Sequence, residues 1–291
     1  MCRCSRRNFI NGTFWGITGC LVGELPAEEG RAAPAPAAPA PKSTYVLGAC
    51  DWSLGKRQDP AAFSVAKEIG LDGVEVSFGK PGSPNDLRDP DVRNRYLGVS
   101  RETGVRIASL AMGILNQVPY ATDPDTEQWV ADVVDVMPQV GAKCCLLAFF
   151  GDGDINGDRT RQAEVIRRLK RVAPAAEKAG VVLGVESWMN AEDHLRILDG
   201  VGSPAVQVYY DVANMTKQGY DVGREIRQLG AQRICQMHMK ENGALLGKGQ
   251  VDFASVRSAV EDIDYRGWLV IEGATQSGRG LVECYQQNRS F

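Results

Sequence analysis

From Thr44 onward, short apolar runs alternate with amphipathic stretches, and few folds admit that rhythm. The apolar runs at 45–50, 73–78, 105–111, 143–150, 181–187, 205–211, 233–239 and 268–272 have strand length. Between them, 60–70, 90–103, 125–140, 159–179, 191–200, 221–230 and 252–263 read as helices. Gly70, Gly104, Gly141 and Gly180 each stand just before the next strand, where a helix ends on a left-handed residue. Eight strand–helix units in about 240 residues predict an α/β fold, a closed (β/α)8 barrel rather than an open sheet. A doubly wound sheet is the competing architecture, and it is disfavoured because no Gly-x-Gly-x-x-Gly follows the first strand.

The strands also show which way they face. Counting back in twos from Glu186 gives Gly184 and Val182, with Val185, Leu183 and Val181 opposite. From Asp211 the same face carries Tyr209 and Gln207, and from His238 it carries Gln236, with Met237 and Cys235 opposite. From Glu272 it carries Val270 and Trp268, against Ile271 and Leu269. Glu75 repeats the pattern, with Gly73 and Ser77 beside it. In a barrel one strand face is apolar and meets the helices, while the other meets the axis. The acids and His238 therefore belong to the axial face, at the C-terminal rim where barrel enzymes place their chemistry.

Glu186, Asp211, His238 and Glu272 are spaced by 25, 27 and 34 residues, about one strand–helix unit each. They come from neighbouring strands, not from one helix. Three carboxylates around one imidazole cannot all ionise without a cation among them. A divalent ion resolves the conflict, and an oxygen-rich set with one nitrogen suits Mn²⁺ foremost, with Mg²⁺, Co²⁺ and Zn²⁺ as alternatives. The bland alternative makes each acid a cap and His238 a hydrogen-bonded core residue; four matching positions weigh against it. The eight cysteines supply no metal spacing, and Cys50, Cys235 and Cys284 read as small buried residues. A net charge of −3 without any Lys/Arg-rich run argues against nucleic acid as a partner.

The first 42 residues read differently. Ser5-Arg6-Arg7-Asn8-Phe9-Ile10 resembles a twin-arginine export signal, and the run to Gly23 is too short and glycine-broken to span a membrane. Ile17-Thr18-Gly19-Cys20 resembles a lipobox. Residues 1–23 are thus expected to be a signal segment and 24–42 an Ala/Pro-rich linker, with the barrel at 43–291. The twin-arginine machinery is the expected partner. The expected location is the periplasm, or a membrane anchor through Cys20 if that residue is lipidated.

Gly184-Val185-Glu186-Ser187, Tyr210-Asp211-Val212-Ala213-Asn214, His238-Met239-Lys240-Glu241, Leu246-Gly247-Lys248-Gly249-Gln250-Val251-Asp252-Phe253 and Ile271-Glu272-Gly273 carry a resemblance. So does Asp72-Gly73-Val74-Glu75. Together they resemble the sugar phosphate isomerase/epimerase family, the xylose isomerase-like TIM barrels that include ketose 3-epimerases. The resemblance implies that Glu186, Asp211, His238 and Glu272 bind the metal, and that Glu186 and Glu272 are the catalytic acid/base pair. The implied reaction removes a proton next to the carbonyl of a keto sugar, passes through a metal-stabilised enediolate and returns the proton on the other face. A homo-oligomer is compatible with the family.

The pattern departs from the ketose 3-epimerases at Asn214, where they often carry histidine, and in 241–247, which lacks their usual arginine. Glu75, Glu192, Asn214, Lys240 and Trp188 are the expected substrate contacts, with Trp52 and Phe150 as further walls. Glu192 reads equally as a first-turn helix acid and Lys240 as a solvated rim lysine. His194 reads as structural or surface. The competing reaction is elimination by a lyase or dehydratase acting on a 3-keto sugar or keto-inositol. A non-catalytic sugar-binding barrel is the third reading. A nuclease of related fold needs more than two histidines.

Overall fold

The computed structural model describes residues 45–291. The signal segment and linker expected in residues 1–42 lie outside the described residues. Eight parallel strands close into a barrel in sequence order. These are β1 Val46–Cys50, β2 Gly73–Ser77, β3 Arg106–Met112, β4 Cys144–Phe149, β5 Val182–Ser187, β6 Val206–Asp211, β7 Ile234–Met239 and β8 Trp268–Ile271. β8 pairs with β1, Val46 opposite Trp268, and so closes the ring.

Outside the strands lie α1 Ala62–Ile69, α2 Pro90–Thr103, α3 Asp125–Val140, α4 Arg159–Ala179 and α5 Ala191–Val201. α6 Val212–Lys217, α7 Val222–Leu229, α8 Phe253–Asp262 and α9 Leu281–Ser290 complete the ring. Helix starts are set by short polar side chains. Asp158, Asn190, Asp221 and Asp252 each accept a backbone N–H of the first turn. The four glycines expected at helix ends all adopt the left-handed conformation. α9 was absent from the sequence reading, whose apolar pattern stops at 272. Its Gln286 and Arg289 donate to the carbonyls of Glu68 and Gly70 at the end of α1.

The main core lies between strands and helices, through Val74, Leu110, Leu147, Val185, Tyr210 and Met237 among others. Inside the barrel a smaller cluster contains Ala111, Cys144, Leu146, Ala148 and Tyr209. Trp268 stands at the N-terminal end of the barrel, and the Arg106 guanidinium lies over it, 4.6 Å from the ring centroid. Gly73 leaves the room this needs, because a Cβ there would sit 2.6 Å from the indole.

Strict alternation fails at two bulges. Val74 pairs with Ile107 but Glu75 with Ser109, leaving Ala108 extra in β3. Val208 pairs with Ile234 but Tyr209 with Gln236, leaving Cys235 extra in β7. An extra residue bends its strand and re-aims side chains. Cys235 was expected to point away from the axis. The bulge instead packs it against the interior cluster, with its thiol donating to the Val208 carbonyl at 3.2 Å.

Candidate metal centre and active site

The four expected ligands arrive at one place. Glu186 and His238 stand one residue before the ends of β5 and β7, Asp211 closes β6, and Glu272 follows β8 directly. His238 Nδ1 lies 3.2 Å from Glu186 Oε1, 3.5 Å from Glu272 Oε2 and 3.8 Å from Asp211 Oδ2. Asp211 is held in place by its other oxygen, which caps α6 by accepting from Ala213 N and Asn214 N, both at 2.8 Å. Glu272 Oε1 accepts from Trp52 Nε1 at 2.9 Å, which leaves Oε2 for the cluster. Each carboxylate therefore has one oxygen anchored or one oxygen directed inward.

The donor set fits a divalent cation. Ligand atoms of Glu186, Asp211 and His238 all lie within 4.8 Å of one another, and all three residues are buried. The opposite ring nitrogen, Nε2, is 2.9 Å from Glu75 Oε1. Both ring nitrogens face carboxylates, so without an ion the ring is drawn to its charged form; a cation on Nδ1 would displace that proton and leave Nε2–H donating to Glu75. Three ligand atoms gathered this closely, with Glu272 Oε2 3.5 Å from Nδ1 and oxygens outnumbering nitrogen, match a hard or borderline divalent ion.

Without such an ion the acids strain against each other. Burial, and then the charges of Asp211 and Glu272, push Glu186 up to about 7 despite the opposing pull of His238. Burial also raises Asp211, against the pull of Lys240 and His238. Burial acts to raise Glu272 too, but His238 and Lys240 outweigh it and hold its carboxyl below the ordinary range. Burial would lower His238, yet Cys50, Glu75 and Glu186 together raise it.

A cavity of about 280 Å³ opens over this cluster, walled by Trp52, Phe150 and Trp188, with Asn116 and Arg57 at its edge. A larger cavity, about 710 Å³, opens at the opposite end of the barrel and is lined by Arg106, Lys143, Gln207 and Trp268. Of the two, the smaller is lined by Glu186, His238 and Glu272, and it occupies the C-terminal face on which barrel chemistry is built.

The model of the family described as xylose isomerase-like TIM barrel matches residues 63–287. The chain belongs to that family. Two related sequences are named as epimerases. One, at 27% identity over 77% of this chain and 88% of its own length, is 2-epi-5-epi-valiolone 7-phosphate 2-epimerase from Actinoplanes sp.. Another, at 26% identity over 84% of this chain and 94% of its own, is a putative L-ribulose-5-phosphate 3-epimerase of Escherichia coli. Among solved structures, D-psicose 3-epimerase with D-tagatose from Clostridium cellulolyticum superposes with a TM-score of 0.72. That match has 15% identity and covers 84% of this chain and 97% of the other, so it speaks for the fold alone.

Within this xylose isomerase-like barrel, the expected substrate contacts separate. Asn214, Lys240 and Trp188 line the cavity. Lys240 Nζ lies 2.9 Å from Glu272 Oε2, 3.4 Å from Asp211 Oδ2 and 3.5 Å from Asn214 Oδ1. Glu75 and Glu192 do not line it. Glu192 is exposed in the first turn of α5, whose cap Asn190 accepts from Asp193 N. Glu75 is fully buried behind His238, where Ser109, Tyr209 and His238 occupy its oxygens. His194 is structural: its buried ring bonds to Ser187 Oγ and the Asn190 carbonyl, both at 3.1 Å. Arg57 and Asn116 were not anticipated. They sit in loops after β1 and β3, where no periodicity marks a residue.

Proposed function

We propose that the protein is a divalent-metal-dependent epimerase or isomerase of a keto sugar. One observation carries the reading: Glu186 and Glu272, from β5 and the end of β8, line one cavity together with His238, Lys240 and Asn214. The relatives, named as sugar epimerases, support the reaction class. Glu186, Asp211, His238 and Glu272 would hold the ion, which supplies Lewis-acid polarisation of the substrate carbonyl. Mn²⁺ is the ion the donor set favours.

Glu272, held ionised, takes the proton from the carbon beside the carbonyl, and the bonding pair moves into an enediolate. Lys240 places an ammonium beside that developing charge, while Asn214 offers its amide to a substrate hydroxyl. Glu186, which enters the step protonated, gives its proton to the opposite face and so inverts the carbon, while Glu272 keeps the proton it took. Trp52 fixes Glu272 through its indole N–H, and Trp188 packs against Phe150 with ring centroids 4.9 Å apart, forming an apolar wall that excludes water.

Incubation of the Mn²⁺-loaded protein with a panel of keto sugars in heavy water tests this. Wild type should incorporate deuterium at the carbon beside the carbonyl, and Glu272→Gln should lose turnover while keeping its fold. Full activity in Glu272→Gln, or no exchange with any sugar, would sink the proposal. An unsaturated product in place of an epimer would assign the same site to β-elimination. Export belongs to the same proposal and rests on Ser5-Arg6-Arg7. A reporter fused to residues 1–42 should leave the cytoplasm of a twin-arginine-competent bacterium only with both arginines intact.

A further inference from the structure

We propose that Glu75 is a positioning residue of the metal centre, which holds His238 in the tautomer that turns Nδ1 toward the ion. The inference rests on the metal-dependent reading above. Four donors converge on this one carboxylate. His238 Nε2 (2.9 Å) and Cys50 Sγ (3.7 Å) reach Oε1, while Ser109 Oγ (2.6 Å) and Tyr209 OH (2.7 Å) reach Oε2. The side chain is fully buried and takes no part in lining the cavity. A buried carboxylate needs such donors, and once they are spent none of its capacity is left for a sugar.

The network is directional. Gln236 Nε2 donates to Ser109 Oγ at 2.9 Å, so the single hydroxyl proton of Ser109 is left for Glu75. The Tyr209 phenol likewise has one proton to give, and donates it to Glu75 Oε2 at 2.7 Å. The Tyr209 ring also packs on the imidazole, 4.6 Å between centroids, and limits its rotation. Both strand bulges serve this cluster: they set Ser109 opposite Glu75 and Gln236 opposite Tyr209. His238 is therefore held on its far side by a carboxylate, its Nε2–H is fixed, and the ligating nitrogen is made more basic.

Metal-stripped wild type and Glu75→Gln, titrated with Mn²⁺ by calorimetry, test the assignment. An amide cannot accept from four donors, and its NH₂ must confront one of them, so affinity should fall about 10–100-fold. At saturating Mn²⁺ the KM for substrate should stay within about twofold of wild type, which a lost substrate contact would not allow. With two histidines in the chain, long-range ¹H–¹⁵N spectra of the Mg²⁺-loaded protein should show His238 as the Nε2–H tautomer in wild type. That signature should weaken in the variant. If Glu75→Gln fails to fold, Ser109→Ala removes one donor, and several-fold weaker Mn²⁺ binding supports the assignment. Unchanged Mn²⁺ affinity in the folded variant, or a raised KM at unchanged affinity, overturns it. A wild type that binds no divalent ion overturns the metal reading as well.

Discussion

Replacing Glu241 with alanine should loosen the loop that begins just after Lys240. The Glu241 carboxylate is 3% exposed and accepts the backbone N–H groups of Gly249 (3.2 Å), Gln250 (2.9 Å) and Val251 (3.2 Å). A hydrogen bond to a charged group contributes about 1.5–3 kcal/mol. Gly249 and Gln250 are exposed, so water can take over their bonds, whereas Val251 is buried and keeps an orphaned donor. The loss is therefore nearer one bond than three, about 2–3 kcal/mol. For a domain of this size that lowers Tm by roughly 4–12 °C. Gly249→Ala reaches the same bonds from the other side, because a Cβ there would overlap Glu241 Oε2 and force the carboxylate away. The two changes should not add: the double variant should be about as stable as Glu241→Ala, with a coupling of about 2 kcal/mol. Urea unfolding of the four proteins measures it. Additivity within about 0.5 kcal/mol would refute the idea that Gly249 exists to admit this carboxylate.

Three further outcomes follow from the site and its surroundings. Burial pulls the His194 pKa down to about 4. A depressed folded-state value means stability that is whole above the unfolded pKa near 6.5 and is lost as pH falls toward 4. The contribution is about 3 kcal/mol, so His194→Gln should show a smaller loss of stability between pH 7 and pH 4 than wild type; parallel profiles would count against it. Mn²⁺ at about 100 times its dissociation constant should stabilise the protein by about 2.7 kcal/mol, seen as a raised Tm that chelator reverses and Asp211→Asn abolishes. Trp52→Phe keeps the ring but loses the 2.9 Å bond to Glu272, which helps hold that carboxyl low. Its kcat should fall about tenfold, equivalent to about 1.4 kcal/mol, with an unchanged circular dichroism spectrum; an unaltered kcat would remove Trp52 from the account.

Strand and helix positions were legible in the residues because apolar periodicity and glycine stops are local properties of a chain. The convergence of Glu186, Asp211, His238 and Glu272 was legible for the same reason: each stands at or beside a strand end on its axial face, and a closed barrel gathers strand ends. α9 was not, because it follows the last strand and only its docking on α1 explains it. Cys235 was misplaced and Glu75 given to the substrate because both depend on tertiary register. A single extra residue reverses which face a strand presents, and nothing in Arg233-Ile234-Cys235-Gln236 announces it. Glu75 lies on the axial face as its strand pattern requires, yet its neighbour is a histidine 163 residues away. Apart from Cys235, the strand pattern alone determined which of the discussed side chains turn inward. Barrel closure and two bulges decided which of them meet, because partners across the axis are chosen by register and not by sequence proximity.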